Sequence, residues 1–168
     1  MSGLKGRERL QPSLLDRLTD NAPTSLRDPP DQQVLTMTQL RQAVLRDLGA
    51  LLNTTNLATV KDLSATPRLA KSTLNYGIPG FAGMTEGGAQ IAALERELTD
   101  AIRAYEPRIR PETLRVRMRG SHEYQANPAL VFEIEGELWA QPVPQQLFLE
   151  TSIEIETRLA AVVETKGS

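Results

Sequence analysis

Three glutamates, Glu133, Glu135 and Glu137, stand two residues apart. Two carboxyls held about 5 to 9 Å apart are the working parts of a glycosidase, one as acid and one as base or nucleophile. That chemistry needs the two environments to push the pKa values apart, and residues that alternate along one solvated strand face have nothing beside them to do so. The bland account is that they answer Arg115, Arg117 and Arg119 across a hairpin, where opposite charges stabilise by roughly 0.2 to 1 kcal/mol per pair.

His122 is the sole histidine and falls among turn residues, so a Ser-His-Asp set or a histidine-rich metal site has to be built around that one side chain. Residues 83–88, GMTEGG, lack the lysine and preceding strand of a phosphate loop and read as a helix start. These residues assign no catalytic group, no metal ligand and no cofactor site.

Glu106, Pro107 and Arg108 carry a different kind of chemistry. A guanidinium forks onto a carboxylate, and a carboxylate accepts from Arg or from backbone amides. Placed at the end of a helix they form either a local ion pair or a binding site, and both readings stand. Trp139, the sole tryptophan, is either core or sheet-edge packing or an exposed interface anchor.

The elements that position these residues follow from periodicity. Leu14, Leu15 and Leu18 share one side of a short helix within residues 12–19, and residues 21–31, NAPTSLRDPPD, form a Pro-rich linker. Thr36 and Gln39 have capping-box spacing, and Leu40, Val44, Leu48, Leu51 and Leu52 extend an amphipathic helix over about 37–52. Residues 56–84 have no sustained period; 69–77 are expected to hold a short extended piece before the turn at Gly77 to Gly80. Ile91, Leu94, Leu98, Ile102 and Tyr105 predict a second long helix over 88–105, stopped by Pro107.

From Leu114 the period becomes two. Leu114, Val116 and Met118 alternate with the arginines, a turn is expected over 121–128, and Leu130, Phe132, Ile134 and Leu138 alternate with the glutamates. Leu147, Leu149, Thr151, Ile153 and Ile155 make a third strand, and 159–163 a last short one. Helices first and strands after give an α+β domain, two main helices plus a short N-terminal helix on a small antiparallel sheet. The division expected is an arm over 1–31, the domain over 32–163 and a disordered tail over 164–168.

Bulk properties narrow the function classes. The 168 residues are 40% hydrophobic and 24% charged, enough for one core. Lys+Arg 19 against Asp+Glu 21 gives a net charge of -2, so no summed positive field draws the chain to nucleic acid. The chain has no cysteine, which fits a reducing compartment. No stretch approaches the roughly 18 apolar residues of a membrane span, so no direct membrane insertion is expected.

The string Tyr105-Glu106-Pro107-Arg108 after an amphipathic helix resembles the Glu-Pro-Arg motif of the TssE and phage baseplate-wedge family, once labelled lysozyme-like. Residues 7–18, 40–54, 72–79 and Gly136 to Trp139 with Pro142 resemble that family in the same order, covering about Arg7 to Leu159. Gly80, where the family often has an acidic residue, and 156–164, without its usual Thr-Gly-Arg turn, depart from the pattern.

The resemblance implies a sheath-like docking domain in a cytoplasmic bacterial subunit of the type VI secretion baseplate, at the base of a membrane-anchored apparatus. Its implied partners are TssF and TssG in the wedge, TssK in the wider baseplate, and the TssB/TssC sheath, whose first ring docks by exchanging strands. It implies Glu106, Pro107 and Arg108 as partner-binding residues, with Asn75, Tyr76, Gly77 and Trp139 as further interface candidates. The rival from another class is a peptidoglycan-cleaving muramidase, which loses turnover when Glu106, Glu133 or Glu135 becomes Gln. A free-standing adaptor is the third reading.

Overall fold

The computed structural model describes residues 13–18, 36–80, 88–124, 127–139, 144–154, 157 and 159–165. The Pro-rich linker, residues 81–87 and 140–143, Ile155 and the last three residues of the expected tail lie outside the described residues.

The short α1 is Leu14–Leu18, and α2 spans Met37–Leu52. The Thr36 hydroxyl accepts from the Gln39 N–H at 3.2 Å, and the Gln39 side chain accepts from the Thr36 N–H at 2.8 Å, satisfying two donors at the start of α2. Leu40, Val44, Leu48, Leu51 and Leu52 are its buried face. Helix α4, Gly88–Tyr105, buries Leu94, Leu98, Ala101 and Ile102 at the same spacing.

Between them the chain is helical in short pieces, where an extended piece was expected over 69–77. A 3-10 turn at Leu57–Thr59, the helix α3 at Pro67–Ala70 and a second 3-10 turn at Thr73–Asn75 replace it. Local side chains decide this: Asn56 accepts from the Thr59 N–H, and Ser72 accepts from the Leu74 N–H, so each turn is capped within itself. Among the described residues of this segment, the parallel bridge from Thr55 to Ile78 is the one extended pairing.

The second half is a four-stranded antiparallel meander in the order β1-β2-β3-β4, with β1 Arg115–Tyr124, β2 Asn127–Leu138, β3 Gln145–Glu154 and β4 Ala160–Glu164. The fold is therefore α+β, as the change of period predicts. The first hairpin is tighter than expected. Residues 121–124 and 127–128 are paired, so His122 sits on β1 opposite Ala129 rather than in a turn. Backbone partners on β2 outweigh the turn-forming residue types there. Residues 164 and 165, expected to lie in the tail, bond to β3: Glu164 pairs with Leu149 and the Thr165 N–H donates to Phe148 O at 2.9 Å.

The sheet's inner face carries Val116, Phe132, Ile134, Leu138, Leu147, Leu149 and Ile153, all buried. On that face α4 packs against β1 and α2 against β4. Each fully buried Leu, Ile or Phe contributes roughly 1.5 to 3 kcal/mol by removal from water. The hairpin register sets Arg115 opposite Glu135 and Arg117 opposite Glu133 on the outer face. Arg119 is the extra residue at a register shift between Met118 and Gly120, and it reaches across to Glu150 at 3.2 Å.

Candidate functional site

Helix α4 stops because Pro107 cannot continue it. The Glu106 N–H still donates to Ile102 O at 2.8 Å, and Glu106 O accepts from the Ile109 N–H at 3.2 Å, which turns the chain back toward the sheet. The turn sends the Glu106 side chain inward, leaving the residue 2% exposed. A buried carboxylate needs an ionic or multiply hydrogen-bonded partner, and Arg108 supplies both. Glu106 Oε1 accepts from the Arg108 backbone N–H at 3.1 Å and from its Nε at 2.7 Å, while Oε2 accepts from Nη2.

Arg108 Nη2 also donates to Asp47 Oδ2 on α2 at 2.6 Å. Burial works against the charged guanidinium, but hydrogen bonds and charge from Glu106 and Asp47 outweigh it and hold the pKa above its ordinary value. The Arg108 Nη1 atom is buried without a partner among the described residues. The chain of charge continues outward: Arg46 Nε donates to Asp47 at 2.8 Å, and Arg46 Nη1 to Asp16 of α1 at 2.5 Å.

The turn is bolted to the end of β2. The Trp139 N–H donates to Arg108 O at 2.7 Å, the Arg110 N–H to Glu137 O at 2.9 Å, and Ile109 bridges Leu138. Gly136 makes room for this, because a Cβ there would lie 2.8 Å from Ile109 Cγ2. Trp139 itself is 60% exposed, at the end of β2.

Tyr76 and Tyr105 bring the loop before α4 to the same corner. Their rings meet edge to face with centroids 5.1 Å apart, and the Tyr105 hydroxyl donates to Ser72 O at 2.9 Å. Burial, and then the charges of Asp47 and Glu106, raise the Tyr76 phenol pKa, which places it in the field of the ionic cluster. Asn75 holds the loop together, accepting from the Ala58 N–H at 2.8 Å and donating to Ala70 O at 2.9 Å. Gly77 has φ 119, and a Cβ there would be 2.3 Å from Thr54 O. No other residue type fits that close approach without strain.

The sequence-derived candidates thus converge on one corner: Tyr76, Glu106, Arg108 and Trp139 cluster there, with Asn75 and Gly77 shaping the loop that brings Tyr76 in. The three glutamates of β2 take separate roles. Glu133 and Glu135 face arginines across the hairpin, whereas Glu137 pairs with Arg110 at 3.3 Å and accepts from Gln146 at 2.8 Å. Sequence reasoning missed Asp47. It lies on the polar side of α2, far away along the chain, and no spacing signals that it meets Arg108.

The family model for baseplate wedge protein gp25 matches residues 38–143, more than half of the chain. The matched range holds Asp47, the 75–77 loop, the Glu106 to Arg108 turn and Trp139, and it ends before β3. No curated protein matches the chain.

Proposed function

The chain belongs to the gp25 family of baseplate wedge proteins, a structural baseplate role, and on that premise we propose that it serves a type VI secretion baseplate as the platform on which the sheath starts. It joins TssF and TssG in the wedge, with TssK in the wider baseplate, and receives the first TssB/TssC ring by strand exchange. Its working place is the cytoplasm, at the base of the membrane-anchored apparatus. Among the described residues no helix is long and apolar enough to cross a membrane, which fits a subunit recruited by protein contacts.

The observation that carries this reading is the Arg108 and Trp139 corner. An arginine fixed by a buried carboxylate accepts through its backbone carbonyl from Trp139, a residue that is 60% exposed. Arg and Trp are the residue types that dominate binding energy at protein interfaces. Pro107, exposed at the tip, sets the turn; Glu106 acts from inside by positioning Arg108. A glycosidase role for Glu106 finds no support in this arrangement, because both its carboxylate oxygens are taken by Arg108.

The test is co-purification of the full chain with wedge and sheath subunits, comparing wild type, Trp139→Ala and Arg108→Ala, with circular dichroism to confirm folding. Trp139→Ala should keep its fold and lose at least ten-fold in capture of one partner class. Undiminished capture of both classes would remove this corner from the interface. Wild type that captures neither class, and that cleaves peptidoglycan, would replace the platform reading altogether.

A further inference from the structure

Leu15 and Leu18 of α1 are 62% and 74% exposed, so neither side chain roots that helix in the core. Asp16 ties α1 to α2 instead. The Ser13 hydroxyl donates to Asp16 Oδ2 at 2.7 Å and accepts from the Asp16 N–H at 3.3 Å, which orients the carboxylate. Its Oδ1 then accepts from Arg46 Nη1 at 2.5 Å.

Asp47, the next residue on α2, is divided between two arginines. Its Oδ1 accepts from Arg46 Nε at 2.8 Å and its Oδ2 from Arg108 Nη2 at 2.6 Å. Charges therefore alternate without a gap from the arm to the end of α4: Asp16, Arg46, Asp47, Arg108, Glu106. Side-chain exposure falls toward the inner end, from 49% at Arg46 to 21% at Arg108 and 3% at Glu106. Water weakens the outer pairs more than the inner ones, so a charge removed outside is felt where the guanidinium is held.

Two like charges share one acceptor at Asp47. That arrangement is favourable because each arginine has a further carboxylate on its far side, Glu106 for Arg108 and Asp16 for Arg46. Without Asp16, Arg46 keeps Asp47 as its one ionic partner among the described residues and competes with Arg108 for it. The middle of the relay is rigid, since α2 is rooted in the core by Val44 and Leu48 on either side of Arg46 and Asp47.

We infer that Arg46 and Asp47 couple the α1 arm to the Arg108 turn, so that docked α1 holds the Arg108 guanidinium in place and released α1 loosens it. Asp47 is then a positioning residue for Arg108, and Arg46 makes that positioning conditional on the arm. The consequence for assembly rests on the turn being a partner site, as proposed above. A partner that lifts α1 off α2 weakens capture at the turn, and a partner that clamps Arg108 holds α1 down, because coupling between two sites is reciprocal.

A double-mutant cycle on the full chain tests this, read by NMR as solvent exchange of the Arg108 Nε proton, which Glu106 Oε1 accepts at 2.7 Å. Asp16→Ala should speed that exchange about two-fold or more, the lower bound for coupling inside one ion-pair network. In an Arg46→Ala background the same substitution should change nothing, and protection of the buried Leu48 amide should stay at the wild-type level throughout. Unchanged Arg108 exchange in Asp16→Ala refutes the relay. Equal acceleration with and without Arg46 also refutes it, since the effect then bypasses the proposed path. In co-purification, Asp16→Ala should reduce capture of whichever partner class Arg108→Ala loses and spare the other. If the coupling is present in the free chain but Arg108→Ala captures both classes fully, the partner-site reading falls and the relay stands.

Discussion

Glu106 Oε1 accepts twice from Arg108, from the backbone N–H at 3.1 Å and from Nε at 2.7 Å, so one carboxylate fixes both the turn and the guanidinium that leaves it. Neutralising that carboxylate leaves a guanidinium, 21% exposed at its side chain, with Asp47 as its one remaining ionic partner. Glu106→Gln should lower the unfolding free energy by about 3 kcal/mol, the usual cost of breaking a buried pair from one side. Urea denaturation reads this directly, and a loss under about 0.5 kcal/mol would mean that the pair is solvated in solution.

Thr151 lies at the centre of the inner face, opposite Phe132, and is 0% exposed. Its hydroxyl has no partner among the described residues. Thr151→Val keeps the shape and removes an unpaired polar group, so it should raise stability by about 1 kcal/mol. A lower melting temperature in the variant would show that the hydroxyl is bonded after all.

Gly77→Ala should destabilise by about 2 kcal/mol or more, since the residue has φ 119 and the new Cβ would clash with Thr54 O. The clash pushes apart the bonds from Ile78 N to Thr54 O, 2.8 Å, and from Asn56 N to Ile78 O, 3.0 Å. Faster amide exchange at Ile78 than at Leu48 would localise the damage to this loop; equal rates would refute it.

Hydrogen bonding to Arg46, more than any other cause, lowers the Asp16 pKa below its ordinary value. A depressed folded-state value stabilises docking of α1 above the unfolded aspartate pKa of about 3.9, and that stabilisation fades as pH falls through the folded value. Protection of the α1 amides should therefore persist from pH 7 to pH 5 and fall below about pH 4. Asp16→Asn should abolish this pH dependence. If the variant still loses protection with the wild-type profile, another carboxylate is responsible.

How much of this the sequence disclosed depends on the range of the interactions. The apolar period of 37–52 and 88–105 gives both long helices their bounds, because burial of one face is a pattern written along the chain. The alternation after Leu114 likewise gives the meander. Residues 69–77 were misread because single side chains such as Ser72 cap turns without any period, and 121–124 because a strand partner overrides turn preference. The Glu106 to Arg108 turn was legible as a motif, yet its burial was not. That depends on Asp47 and on the end of β2, which local spacing does not reveal. The bonds from Asn53 to Ala160 and from Glu95 to Met118 were equally invisible, each being made by one polar residue on a helix.

The bonds from α2 to β4 join Asn53 to Ala160 and Arg41 to Glu164, sequence separations of 107 and 123. Every strand pairing in the meander, by contrast, closes with the next segment of chain. Loop-closure entropy makes distant contacts slow to form, so the hairpins should assemble first and the α2 clasp last. During synthesis β4 emerges long after α2, which leaves a growing chain unable to frame that edge with α2 until the whole meander has been made.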